Sequence, residues 1–131
     1  MATQNIRRNF SGSAQTAVAS GTSATVIWAS PTDWSPTGTW VVTVEVNVIG
    51  VGVSTEKVDA YYRRESFKWN DADPSPATVG ALVAATIVEE DSSWDAHVVL
   101  NVRNIELHTV GDAVEKANWV WSGTITAQSV L

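Results

Sequence analysis

The chain has 131 residues, eight Lys and Arg against fourteen Asp and Glu, a formal net charge of −6, no Cys, four Pro, eight Gly and seven Trp. One domain of this size buries roughly two-thirds of the surface its unfolded form exposes. It needs no staple, and the missing Cys excludes disulfide scaffolds, Cys-based zinc modules and thiol enzymes. The acidic balance excludes a binder built to neutralise phosphates, and no apolar run is long enough for a transmembrane helix, so neither nucleic acid nor membrane is an expected partner. Twenty Val, six Ile and fourteen Thr outweigh four Leu and three Lys. Branched side chains of this kind favour a pleated surface over a helix, so the composition predicts an all-β fold.

In chain order, residues 1 to 20 carry only Ile6, Phe10 and Val18 as sizeable apolar side chains after the initiator Met. This segment cannot make its own core and reads as an extended or disordered N-terminal arm, with residues 21 to 131 as the β domain. As an arm that orders against another subunit, it would use Ile6 and Phe10 as anchors and Arg7 and Arg8 as charge partners. The basic pair is not followed by an apolar stretch, so it is not a signal peptide.

Thr22 to Ala29 is the first expected strand of the β domain. Pro31, Asp33, Pro36 and Gly38 then mark a loop that holds Trp34, the tryptophan best placed for exposure. From Thr39 to Ile49, Trp40, Val42, Val44, Val46 and Val48 share one face while Thr43, Glu45 and Asn47 share the other. Gly50-Val51-Gly52 is expected to end this strand. Val58 to about Trp69 follows, with a bulge near Tyr61-Tyr62-Arg63-Arg64. Residues 70 to 76 read as a Pro-terminated turn, and Thr78 to Val88, apolar on both parities, reads as a strand buried on both faces or partly covered by a neighbour, or as a helix. Glu89 to Ser93 is an acidic turn, and the last strand, Ala117 to Ala127, puts Trp119, Trp121 and Ile125 on one face. Trp28, Trp40, Trp94, Trp119 and Trp121 are expected in the core.

One register makes the hairpin from Trp94 to Val110 consistent. Leu100 opposes Ile105, Val98 opposes Leu107 and Ala96 opposes Thr109 on the core side. His97 then opposes His108 and Val99 opposes Glu106 on the other. The two histidines with Asp95 and Glu106 resemble a metal site, but such pairs arise readily on a solvated face, so no metal and no cofactor are expected. Nucleotide, zinc-hydrolase and nucleophile-elbow motifs are absent, and among fourteen carboxylates some pairing is inevitable, so no catalytic residue is assigned. Residues 1 to 68 carry a net +1 and residues 69 to 131 a net −7, a split that lets Arg7, Arg8, Arg63 and Arg64 face an acidic turn in a neighbour.

The order of these runs resembles a small β domain of tailed-bacteriophage virion proteins, found in capsid decoration (cement) proteins and in the trimeric tips of tail fibres. The resemblance rests on Ala60-Tyr61 to Phe67-Lys68, Val79-Gly80, the Glu90-Asp91-Ser92-Ser93-Trp94-Asp95-Ala96 turn, Val110-Gly111 and Asn118-Trp119. It is best from about residue 58 to residue 126. It implies an antiparallel β-sandwich of jelly-roll type with seven or eight strands. It also implies a non-enzymatic virion structural protein that self-associates as a homotrimer and binds other virion proteins, the major capsid protein first; the missing signal peptide adds the expectation of folding in the host cytoplasm. With no fibre shaft before the domain, a decoration protein fits better than a whole fibre. The alternative is a tail-fibre or receptor-binding module that meets a host glycan through Trp34. The expected contact residues are Ile6, Arg7, Arg8, Phe10, Trp34, Arg63 and Arg64.

Overall fold

The computed structural model describes residues 5–18, 22–29, 39–70, 77–101 and 104–130. Among these residues eight strands, all paired antiparallel, make two sheets: β1 (Asn5–Thr16), β8 (Ala117–Val130), β3 (Thr39–Gly52), β4 (Val58–Asn70) and β5 (Ala77–Glu89) in one, in that spatial order, and β2 (Thr22–Ala29), β7 (Asn104–Val110) and β6 (Asp95–Asn101) in the other. First strand pairs with last in one sheet and second with second-last in the other, the nested wrap of a jelly roll. Inside the wrap the chain runs as a meander, β3-β4-β5, and a hairpin, β6-β7.

Alternation decides which side chains lie between the sheets. Val42, Val44, Val46 and Val48 of β3 are fully buried, facing Ile105 and Leu107 of β7 and Ala96 of β6 in one continuous core. The five tryptophans expected inside are all buried, and Trp94 packs edge-on against Trp119 at 5.7 Å. The hairpin register is the expected one, with His97 opposite His108 and Leu100 opposite Ile105.

Three expectations change. β3 does not stop at Ile49 but runs through Gly50 and Val51 and ends at Gly52. A Cβ at Gly50 would sit 2.6 Å from the Trp119 ring, so this glycine serves close packing and not a turn. The stretch from Asn5 to Thr16 pairs residue for residue with β8 of the same chain. It needs no core of its own, because Ile6, Phe10 and Ala14 pack against the shared one. The doubly apolar stretch around Thr78 to Val88 is a strand and not a helix, yet it is not buried: Leu82, Val83, Ile87 and Val88 are all exposed. Five strands lie against three, and β5 overhangs.

The loops are fastened by buried carboxylates. Glu115 Oε1 accepts the Ser54 and Thr55 amides at 2.9 and 3.1 Å, and its Oε2 accepts the Thr55 hydroxyl at 2.6 Å. Asp59 Oδ1 accepts the amides of Glu90 and Asp91 at 2.8 and 2.9 Å, closing the acidic turn onto β4.

Candidate functional site

The outward face of the five-stranded sheet is divided along the strands. Its middle is polar. One row crosses from Thr124 through Glu45 to Arg64, and the next from Ser122 through Asn47 to Tyr62. Arg64 Nε lies 3.8 Å from Glu45 Oε1, with both side chains half exposed, and the Tyr62 hydroxyl donates to Glu45 Oε2 at 3.2 Å. Burial and the neighbouring Glu45 push the Tyr62 phenol above its ordinary range. Toward β1 lies a shallow depression of about 440 Å³ lined by Asn9, Ser11, Asn47, Ser122 and Thr124 around Phe10 and Gly123.

Two residues further along β3 the same face turns apolar. Val120, Ile49, Ala60 and Val88 form a straight row over β8, β3, β4 and β5, and Val51 pairs with Val58 in the row beyond. Val120, Ile49 and Val88 are 52, 44 and 40 % exposed. The row ends at β5, whose register against β4 slips twice, near Ile87 and near the left-handed Gly80. Bulges of this kind twist a sheet edge away from simple strand addition, so β5 offers its side chains more than its backbone.

The residues singled out from sequence are dispersed. Ile6 and Phe10 are half-buried against the core. Arg7 is exposed, and Arg8 is exposed with its guanidinium 5.4 Å above the Trp28 ring. Arg64 stands on the polar part of the outer face, three strand spacings or about 14 Å from β1. Arg63 is turned inward. Its Nε donates to Ala96 O at 2.7 Å, its Nη1 to Tyr62 O and Ala85 O, and its Nη2 to Asp95 at 3.1 Å. Its acidic partner is thus in its own chain. Trp34 lies outside the described residues.

The histidine pair stands on the outer face of the smaller sheet with ring centroids 5.6 Å apart. His108 Nε2 is 3.0 Å from Glu106 Oε1, a bond that holds the Glu106 carboxyl below its usual range. Asp95 lies 3.8 Å from His97 Nδ1. Among the described residues no group of three or more such side chains is disposed to hold a metal ion. The buried Tyr61 hydroxyl donates to Asp59 Oδ2 at 2.6 Å and lies 2.9 Å from Trp94 O, so this pair ties β4 to the acidic turn.

The apolar row was missed in the sequence although its signal was present. Continuing the outward alternation of β3 past Thr43, Glu45 and Asn47 reaches Ile49 and Val51. The outward position next to Trp119 and Trp121 is Val120.

No family model and no curated protein matches the chain. Similar solved structures include the tailspike protein of Acinetobacter phage vB_ApiP_P1, with 13 % identity and a TM-score of 0.38 over 92 % of this chain and 21 % of that one. Another is the tailspike protein of Acinetobacter baumannii phage AM24, with 9 % identity and a TM-score of 0.35 over 95 % of this chain and 26 % of that one. The chain therefore spans about a quarter or less of either structure.

Proposed function

We propose that the chain is a non-enzymatic structural module of a bacteriophage particle that works through its surfaces, as a capsid decoration protein that binds and stabilises the shell. The observation that carries this reading is exposed apolar sheet surface, the Val120–Ile49–Ala60–Val88 row on the outward face together with the β5 overhang left by five strands against three, and surface of this kind is where proteins meet. The sequence resemblance supplies the virion context. Sedimentation of the purified chain with and without expanded phage shells tests it. Co-sedimentation at a fixed ratio per shell supports the reading, and no association with shells across a panel overturns it.

A second reading, a receptor-binding module for host glycan, is favoured by the depression beside Tyr62 and Glu45. Its amide and hydroxyl side chains match the hydrogen-bonding groups of a sugar. Glycan-array binding lost in Asn47→Ala, at the floor of the depression, would support it, and an array without binders would remove it.

A further inference from the structure

Resting on the reading of a module that works through its surfaces, we infer that two copies of this chain pair face to face through the outer face of the five-stranded sheet, about a two-fold axis parallel to the strands between β3 and β4.

The geometry follows from the cross-strand register. A two-fold in that direction reverses strand order but keeps position along the strands, so each row meets its own copy backwards, β3 over β4 and β8 over β5. In the apolar row, Ile49 then lies over the partner's Ala60, a large side chain against a small one, and Val120 lies over the partner's Val88. In the row beyond, Val51 meets the partner's Val58. In the polar rows, Glu45 meets the partner's Arg64, Arg64 meets the partner's Glu45, and Asn47 meets the partner's Tyr62. The apolar row is therefore complementary to its own reversal in size at Ile49 and Ala60, and the first polar row in charge at Glu45 and Arg64. The intrachain Glu45–Arg64 pair is long and half exposed, so it can re-form across the axis at little cost.

Charge selects this face in a chain of net −6. The Val120–Ile49–Ala60–Val88 row carries no charge, and the Glu45–Arg64 pair is neutral in sum, so copies that repel elsewhere meet here without like charges set against each other. Area agrees. Four strands wide and seven residues long, from Glu45 to Val51, the patch covers roughly 20 by 25 Å, on the order of 500 Å² per copy. Two copies bury about 1,000 Å², where specific interfaces begin. Twisted sheets stack within about 30° of alignment, which keeps the central rows in contact.

Sedimentation equilibrium of the full chain and of three variants at exposed positions tests the pairing, with circular dichroism confirming that each variant is folded. The wild type is expected to be a dimer, and I49D to weaken dimerisation by about 30-fold or more. E45R sets cation against cation in both cross-axis pairs and R64E sets anion against anion in both, so each alone is expected to be monomeric. Their equimolar mixture is expected to form a heterodimer, because every cross-axis pair is then of opposite sign. A monomeric wild type, a trimer insensitive to I49D, or a mixture that stays monomeric would overturn the pairing. Shell binding is scored separately, so a dimer that no shell retains would remove the decoration reading and leave the pairing standing.

Discussion

Arg63 of β4 reaches across the sandwich to Ala96 of β6, its Nε donating to the Ala96 carbonyl at 2.7 Å. The two strands belong to different sheets, so this bond and the Asp95 contact at 3.1 Å fasten the three-stranded sheet to the part of the larger one nearest the overhang. The guanidinium also lies 5.0 Å from the Tyr61 ring centroid.

Replacing Arg63 by Met keeps much of the apolar stem but leaves the carbonyls of Ala96, Tyr62 and Ala85 without this donor. Unpartnered buried acceptors cost about 1–3 kcal/mol, so Arg63→Met is expected to lower unfolding stability by about 2–4 kcal/mol. Arg63→Lys is expected to recover little of it, because a single ammonium cannot reproduce the fork of donors. Urea titrations of the three proteins check this, and equal midpoints would show that the fork does not fasten the sheets.

The contrast between Arg63 and Arg64 shows what was legible in the sequence. Period two places the two on opposite faces, but which face is inside depends on the strands laid over it. The β6-β7 hairpin was readable to the residue because only one register separates its apolar from its polar side chains. β1 was not, since its inward positions include Arg8 and Gly12, which pattern matching scores as polar or as a break. Gly12 is small because a Cβ there would come within 2.7 Å of the Trp121 ring, a tertiary demand made by a strand more than a hundred residues away. The outward apolar row lies on four strands, and no single segment displays it.

Gly50 tests the same packing logic on the core side. Its Cα lies under the fully buried Trp119, which is itself stacked with Tyr61 at 6.3 Å. A branched side chain would have to displace the indole and with it the aromatic layer. Gly50→Val, favourable by strand propensity, is therefore expected to destabilise by about 2–3 kcal/mol through overpacking. Thermal unfolding measures this, and an unchanged or raised midpoint would mean that the ring yields freely.

Glu115 predicts an acid-side dependence. Its bonds from the Thr55 hydroxyl and from the Thr55 and Ser54 amides hold the carboxyl below the ordinary glutamate value of 4.5. A carboxyl whose folded value is depressed stabilises the fold above its unfolded value, and the contribution is lost as pH falls through the folded one. Glu65, raised by burial, has the opposite sign, so the informative quantity is the difference between wild type and Glu115→Gln. That difference in urea midpoint is expected to be largest near neutrality and to shrink below about pH 4.5. A constant difference from pH 7 to 3 would show that the charge of Glu115 does not hold the turn.

Tyr61 predicts the alkaline counterpart. Burial, followed by the hydrogen bond to Asp59 and the charge of that carboxylate, pushes its phenol well above the ordinary value of 10.0. In the folded chain the hydroxyl stays protonated while the unfolded chain ionises, so its contribution is complete below pH 10.0 and is lost as pH rises beyond it. Tyr61→Phe removes the donor at 2.6 Å from Asp59, with an expected cost of about 1–2 kcal/mol at neutral pH. It also removes the titration, so the phenylalanine variant is expected to lose less stability than wild type between pH 10 and 11, and the two curves should converge there. Parallel curves across that interval would mean that the phenol ionises equally well in the folded chain and that the Asp59 contact does not hold its proton.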